Sequence, residues 1–134
     1  MGHRAMEEKY ETKAVLIIED EADVLNFVSR VLELEGYRVL QAEDGDKGIR
    51  MVRENPIALV LLDLRLPRID GWLVLLQMKS EPALAEIPVV ILTASAGASQ
   101  RDRALSMGAA DYLIKPLSAA SLRETVALFC HSQL

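Results

Sequence analysis

Short apolar runs alternate along the chain with longer segments in which apolar residues recur at helical spacing. The apolar runs predict strands at residues 14–18, 38–42, 59–62, 89–92 and 111–114. The periodic segments predict helices at residues 22–35, 45–54, 70–80, 99–107 and 118–131. Such alternation is typical of βαβ units with a parallel sheet. We therefore expect an α/β fold, a five-stranded doubly wound (βα)5 sheet.

Turn-forming residues stand where these elements should end. Gly36 and Gly108 are predicted to close the first and fourth helices in a left-handed conformation. Pro56 should stop the second helix, and the side chain of Asp70 should cap the start of the third.

Residues 1–12 are polar and show no pattern, so we expect a flexible N-terminal arm, in part an expression remnant. Residues 13–134 are predicted to form one domain, since no repeat or linker divides them. Because the sequence ends near the predicted fifth helix, we expect no output domain within it.

The composition of the chain argues against several classes of function. The formal net charge of −5 argues against direct binding of nucleic acid, and no apolar run approaches the ~20 residues of a membrane-spanning helix. The single cysteine, Cys130, excludes an internal disulfide and fits a reducing compartment, hence a cytoplasmic location. It shares a helical face with Leu122 and Val126, which predicts a packing role.

Charged residues follow three of the predicted strands. Asp63 closes the apolar run of the third strand, Glu19 and Asp20 follow the first, and Lys115 follows the fifth. Open α/β sheets place their chemistry at the carboxyl ends of their strands, so these side chains are candidates for one site.

The acidic residues indicate a metal site. Glu19, Asp20 and Asp63 would repel one another in a small volume unless a cation lay among them, and hard oxygen ligands favour Mg²⁺. Alternatively, Glu19 to Glu21 only place negative charge at the start of the first helix, where it is favourable. Spacing alone leaves both open, and the carboxylate of Asp63 from another strand favours the metal.

Asp63 beside a metal could act as a nucleophile toward phosphorus and form an acyl phosphate. Lys115 would then stabilise the transferred group, and the hydroxyl of Thr93 could donate to it. Pro116 favours a tight turn, of the kind in which a cis bond fixes the geometry of Lys115. Taken singly, Lys115 could be a solvated lysine, and Thr93 could only reflect strand propensity.

Together these residues form a set of motifs: Glu19-Asp20, the stretch from Asp63 through Pro67 to Asp70-Gly71, Thr93-Ala94 and Lys115-Pro116. The set resembles the receiver domain of bacterial two-component response regulators, over residues 13–131. The resemblance implies the flavodoxin-like strand order 2-1-3-4-5 of the chemotaxis regulator.

The resemblance also implies roles at the site. Asp63 would accept phosphate from the phosphohistidine of a sensor histidine kinase or a histidine phosphotransfer protein. Thr93 and Lys115 would hold the phosphoryl group. The ligands of Mg²⁺ would be Glu19, Asp20, Asp63 and the backbone carbonyl of Arg65.

A switch and its partners are implied as well. Tyr112 matches the aromatic residue that turns inward as Thr93 moves, which would alter the surface of the fourth helix, fifth strand and fifth helix.

The partners would be a downstream effector protein or a fused output domain. Phosphorylation could produce a homodimer through the fourth and fifth helices, where Arg101, Asp102 and Arg103 could form exposed ion pairs. The domain would catalyse only its own phosphotransfer and autodephosphorylation, without turnover.

The residues of the site bear on three alternative functions. A haloacid dehalogenase-type phosphatase would need an acid two residues after Asp63, where Arg65 stands. A nucleotide or flavin binder would need a glycine-rich loop after the first strand, which this sequence does not contain. A receiver-like interaction module that never takes phosphate is the remaining alternative.

Overall fold

The computed structural model of the protein describes residues 13–95 and 97–130. Its strands are β1 (Ala14–Ile18), β2 (Val39–Ala42), β3 (Ile57–Asp63), β4 (Val89–Thr93) and β5 (Asp111–Ile114). Its helices are α1 (Ala22–Leu34), α2 (Gly45–Glu54), α3 (Gly71–Ser80), α4 (Ala98–Ser106) and α5 (Ala119–Cys130).

The five strands form one parallel sheet in the order β2-β1-β3-β4-β5. The chain moves outward in one direction from β1 to β2, and in the other from β3 to β5. The carboxyl ends of β1 and β3 therefore meet at the switch point of a doubly wound sheet, where such folds bind their ligands. The predicted fold class and strand order are confirmed.

Apolar side chains cover both faces of the sheet, because successive residues of a strand point to opposite sides. Within β3, Val60 and Leu62 belong to the face covered by α2, α3 and α4. Leu59 and Leu61 belong to the face covered by α1 and α5. The result is a three-layer domain in which the central strands are buried on both sides.

Cys130 lies in the second of these cores, packed with Leu122 and Val126 and only 1% exposed. Burial raises the pKa of its thiol to about 11, so the thiol stays protonated near neutral pH. The predicted packing role is confirmed.

The predicted helix ends are also confirmed. Gly36 and Gly108 have φ of 92° and 105°, in the left-handed region. Asn55 follows α2 as its C-terminal cap, directly before Pro56, and the Asp70 carboxylate accepts a hydrogen bond from the Trp72 backbone N–H at 3.0 Å.

Some boundaries differ from the sequence-based prediction. β3 is longer at both ends than residues 59–62, because Ala14 pairs with Ile57 and Asp63 pairs with Leu92. The prediction placed Asp63 beyond the strand, whereas it is the last strand residue. α4 starts one residue early, with the Gly97 carbonyl accepting from the Arg101 N–H. The predicted arm at 1–12 and residue 131 lie outside the described residues.

No helix among residues 13–95 and 97–130 is long and apolar enough to cross a membrane.

Leu61→Ala should lower the free energy of unfolding by about 3 kcal/mol, because it leaves a cavity in a side-chain site that is fully buried. The matched control is Leu73→Ala on α3, whose leucine is 55% exposed, with an expected loss of about 0.5 kcal/mol. Urea denaturation measures both values. Equal losses would contradict the assignment of β3 to the core.

Candidate functional site

The ends of four strands bring the predicted functional residues to one edge of the sheet. Glu19 directly follows β1, Asp63 ends β3 and Thr93 ends β4. Lys115 directly follows β5, and its backbone N–H donates to the Thr93 carbonyl at 2.7 Å. The bond between Lys115 and Pro116 is cis, as the motif predicted.

Three carboxylates form an acidic cluster at this edge. Glu19, Asp20 and Asp63 each offer an oxygen within 4.8 Å of the others. Glu19 is fully buried and Asp63 is 3% exposed, whereas Asp20 faces solvent. Buried carboxylates at such distances strongly favour a bound cation or a bound proton.

Lys115 supplies one positive charge to this cluster. Its ammonium nitrogen lies 2.6 Å from Glu19 Oε1 and 3.4 Å from Asp63 Oδ2. Burial alone would lower the pKa of Lys115, but its contacts with Glu19 and Asp63 outweigh burial and raise it. The side chain is therefore held charged at the site.

One ammonium does not compensate the burial of Glu19. Burial raises the pKa of Glu19 to about 7, and the contact with Lys115 offsets only part of that rise. Although Oε1 is close to the ammonium, it accepts no hydrogen bond of normal geometry from any described residue. The other oxygen, Oε2, accepts from the Glu21 backbone N–H at 3.1 Å.

These donors fit a divalent cation of the magnesium type. The cluster offers only hard carboxylate oxygens, one of them buried and without a hydrogen bond, and the exposed Asp20 leaves room for the water that Mg²⁺ retains. The Arg65 backbone N–H donates to Asp63 Oδ1 at 3.0 Å, so the Arg65 backbone lies next to the same carboxylate.

The Ser95 backbone connects Thr93 with Tyr112. The Thr93 hydroxyl oxygen accepts from the Ser95 N–H at 3.2 Å, which leaves the hydroxyl proton free to donate elsewhere. The Tyr112 hydroxyl donates to the Ser95 carbonyl at 2.9 Å, with its ring turned inward and 7% exposed. This link was not predicted from the sequence, although a threonine can form a local turn by hydrogen bonding to the backbone two residues on.

Close packing at Gly71 fixes the loop that follows Asp63. A Cβ atom at Gly71 would lie 2.5 Å from both the Asp63 carbonyl oxygen and the Leu64 Cα, which is closer than atoms can pack. Only glycine lets α3 begin directly against the end of β3. The Gly71 N–H also donates to the Leu64 carbonyl at 3.1 Å.

Helices α3 and α4 meet through a cation–π contact. The Arg103 guanidinium lies 4.2 Å from the centre of the Trp72 ring. The sequence predicts exposed ion pairs for Arg101, Asp102 and Arg103, and its periodicity carries no signal for this contact. Arg103 thus joins α4 to α3, the helix that starts beside Asp63.

The comparisons with known proteins agree with this geometry. The sequence profile described as "Response regulator receiver domain" matches residues 15–127. The chain belongs to the response regulator receiver domain family.

Among curated proteins, the chain is similar to the phosphate regulon transcriptional regulatory protein PhoB of Escherichia coli. The two are 38% identical over 110 residues, which cover 82% of this chain and 48% of PhoB. The chain spans about half the length of the curated relatives it matches. Receiver domains are in general not turnover enzymes.

Two solved structures are similar in fold. A receiver domain protein from Methanospirillum hungatei has a TM-score of 0.81 and 27% identity, covering 92% of this chain and 97% of that one. The receiver domain of the sensor histidine kinase PA1611 from Pseudomonas aeruginosa has a TM-score of 0.81 and 27% identity, covering 90% and 99%. That structure holds a magnesium ion in its active-site cleft, as receiver domains bind Mg²⁺ at an acidic site.

Glu19→Gln should change how stability depends on pH in protein kept free of metal. The folded protein holds the Glu19 proton up to about pH 7, whereas the unfolded chain releases it near 4.5. Since the folded state binds more protons between these values, wild-type stability should fall there as pH rises. The free energy of unfolding of the variant should lack the part of this decrease that comes from Glu19. The variant should therefore become more stable relative to wild type as pH rises.

Urea denaturation across this pH range measures the difference, with Glu33→Gln on the exposed side of α1 as the control. Added Mg²⁺ should restore the wild type at high pH, because the cation stabilises the ionised carboxylate. If the free energies of unfolding of wild type and Glu19→Gln changed in parallel with pH, the raised pKa of Glu19 would be contradicted.

Proposed function

We propose that Asp63 accepts a phosphoryl group from the phosphohistidine of a sensor histidine kinase or a histidine phosphotransfer protein. The observation that carries this proposal is the position of the buried Asp63 carboxylate, which has an oxygen within 4.8 Å of oxygens of Glu19 and Asp20 and has its Oδ2 3.4 Å from the Lys115 ammonium nitrogen. A carboxylate placed in this way is close both to groups that can bind a cation and to the fixed positive charge of Lys115. Both are needed to stabilise a transferred phosphoryl group.

The two oxygens of Asp63 have different surroundings. Oδ1 accepts from the Arg65 N–H at 3.0 Å, and Oδ2 lies 3.4 Å from Lys115. One carboxylate oxygen would form a bond to phosphorus while the bond from phosphorus to the imidazole nitrogen of the donor breaks. The Lys115 ammonium and the Thr93 hydroxyl would then hold the phosphoryl oxygens.

The proposed ligands of Mg²⁺ are Glu19, Asp20, Asp63 and the backbone carbonyl of Arg65. When bound there, the ion would supply positive charge to the phosphoryl oxygens. Loss of the phosphoryl group would follow by attack of water on phosphorus, with Asp63 as the leaving carboxylate. We propose no turnover beyond this phosphotransfer and autodephosphorylation.

Thr93 and Tyr112 are the proposed switch. A phosphoryl oxygen that draws the Thr93 hydroxyl would pull on the turn in which Ser95 donates to Thr93. Because the Tyr112 hydroxyl donates to the carbonyl of the same Ser95, the change would pass to β5. It would also reach α4, whose N-terminal cap, Gly97, lies two residues after Ser95. The proposed output surface is therefore formed by α4, β5 and α5.

The partners are proposed from the same chemistry. The donor would be the kinase or phosphotransfer protein, met in the cytoplasm. The receiver of the signal would be a downstream effector protein or a fused output domain, as suggested by relatives named transcriptional regulators that are about twice as long as the aligned part. Phosphorylation could also favour a homodimer through α4 and α5, which sedimentation with and without the phosphoryl group would detect.

Incubation with acetyl phosphate and Mg²⁺ should add one phosphoryl group to the wild type and none to Asp63→Asn, because the amide oxygen is a poor nucleophile. Intact-mass spectrometry measures the adduct, and omission of Mg²⁺ should abolish it. Asp46→Asn, an exposed acid in the first turn of α2, is the matched control and should react like wild type.

Fluorescence of Trp72, the single tryptophan, should change in the same samples only when the adduct forms, because α4 contacts its ring through Arg103. An adduct that persists in Asp63→Asn would contradict the assignment of the acceptor. No adduct with acetyl phosphate or with a phosphorylated histidine kinase would favour the phosphate-independent interaction module.

A further inference from the structure

Lys115 has a third carboxylate partner, Glu21, which lies outside the acidic cluster. Glu21 Oε1 is 3.4 Å from the Lys115 ammonium nitrogen. The Lys115 side chain is 14% exposed and that of Glu21 is 63% exposed, so Glu21 is the solvent-exposed partner of the ammonium, whereas Glu19 and Asp63 are buried. The cluster of possible metal ligands contains Glu19, Asp20 and Asp63, without Glu21.

The Glu21 side chain contacts Lys115 and does not cap the helix that it precedes. Glu21 occupies the residue before α1, yet its side chain caps none of the described backbone N–H groups. Asp44 and Asp70, at the same position before α2 and α3, both cap their helices. Meanwhile the Glu21 N–H donates to Glu19 Oε2 at 3.1 Å. Glu21 thus holds Glu19 through its backbone and Lys115 through its side chain.

The three carboxylate partners of Lys115 would take different parts in the proposed phosphorylation. This inference rests on that proposed function. A divalent cation would engage Glu19 and Asp63, and its charge would repel the ammonium that lies 2.6 Å and 3.4 Å from their oxygens. Phosphorylation would also occupy one oxygen of Asp63. The Glu21 carboxylate would engage neither the cation nor the phosphoryl group, so it stays available to Lys115 during metal binding and phosphorylation.

We propose that Glu21 is a positioning residue, which keeps the Lys115 ammonium at the site while Mg²⁺ and the phosphoryl group engage Glu19 and Asp63. It acts through Lys115 and touches neither the metal nor the phosphoryl group. Its exposure makes the ion pair modest in strength and sensitive to salt.

Glu21→Gln should slow phosphorylation by acetyl phosphate at saturating Mg²⁺ and low salt, by about two- to fivefold, as expected for an exposed ion pair. The difference from wild type should shrink at high salt, where the pair is screened. Asp23→Asn, which removes one negative charge from the first turn of α1, is the matched control and should keep the wild-type rate. A faster Glu21→Gln protein, an equal loss in Asp23→Asn, or a loss that persists at high salt would overturn the proposal.

Labelling of lysine amines, followed by peptide mass spectrometry, tests the same idea without phosphorylation. Mg²⁺ should speed labelling of Lys115 in Glu21→Gln by about two- to fivefold more than in wild type, since only the variant leaves the amine without a retained partner. Lys47 on α2 serves as the internal standard.

Equal effects of Mg²⁺ on Lys115 in both proteins would overturn the role of Glu21. If wild type takes no phosphoryl group from any donor, the proposed function fails, while the labelling result still decides whether Glu21 holds Lys115.

Discussion

Burial of two carboxylates beside a single ammonium is the constraint on which the site depends. Glu19 and Asp63 are withdrawn from solvent at the sheet edge, and Lys115 lies between them. Burying charge costs free energy that one imperfect ion pair does not offset, as the raised pKa of Glu19 indicates. The site therefore lacks positive charge until a second cation binds. This deficit makes it responsive to a metal ion and to a phosphoryl group.

The fold keeps these carboxylates buried through rigid surroundings. The strands that deliver Glu19, Asp63 and Thr93 are buried along their whole length, so the side chains at their ends have little freedom to move into water. The absence of a side chain at Gly71 holds the loop after Asp63 against β3. By contrast, the links from the site toward α4 include single hydrogen bonds to Ser95 and one cation–π contact. A tightly packed site is thus joined to a loosely coupled surface, which suits a two-state switch.

Much of this arrangement followed from sequence patterns, because periodicity, caps and strand-end residues are local signals. The doubly wound sheet, the caps at Gly36 and Gly108 and the convergence of Asp63 with Lys115 were all predictable. The extension of β3 was not, since pairing with Ala14 and Leu92 is a tertiary choice. Nor were the contacts of Arg103 and Glu21, because long flexible side chains on a surface carry no periodic signal for their partners.

Calorimetric titration of Lys115→Met with Mg²⁺ decides whether the Lys115 ammonium and a divalent cation compete for the same carboxylates. Removing the competing ammonium should tighten Mg²⁺ binding by about tenfold, as expected from a unit charge a few ångströms from the ion. Lys47→Met, which loses only an exposed pair with Glu43, should bind like wild type. Unchanged or weaker binding in Lys115→Met would contradict the claim that the ammonium and the metal compete for Glu19 and Asp63.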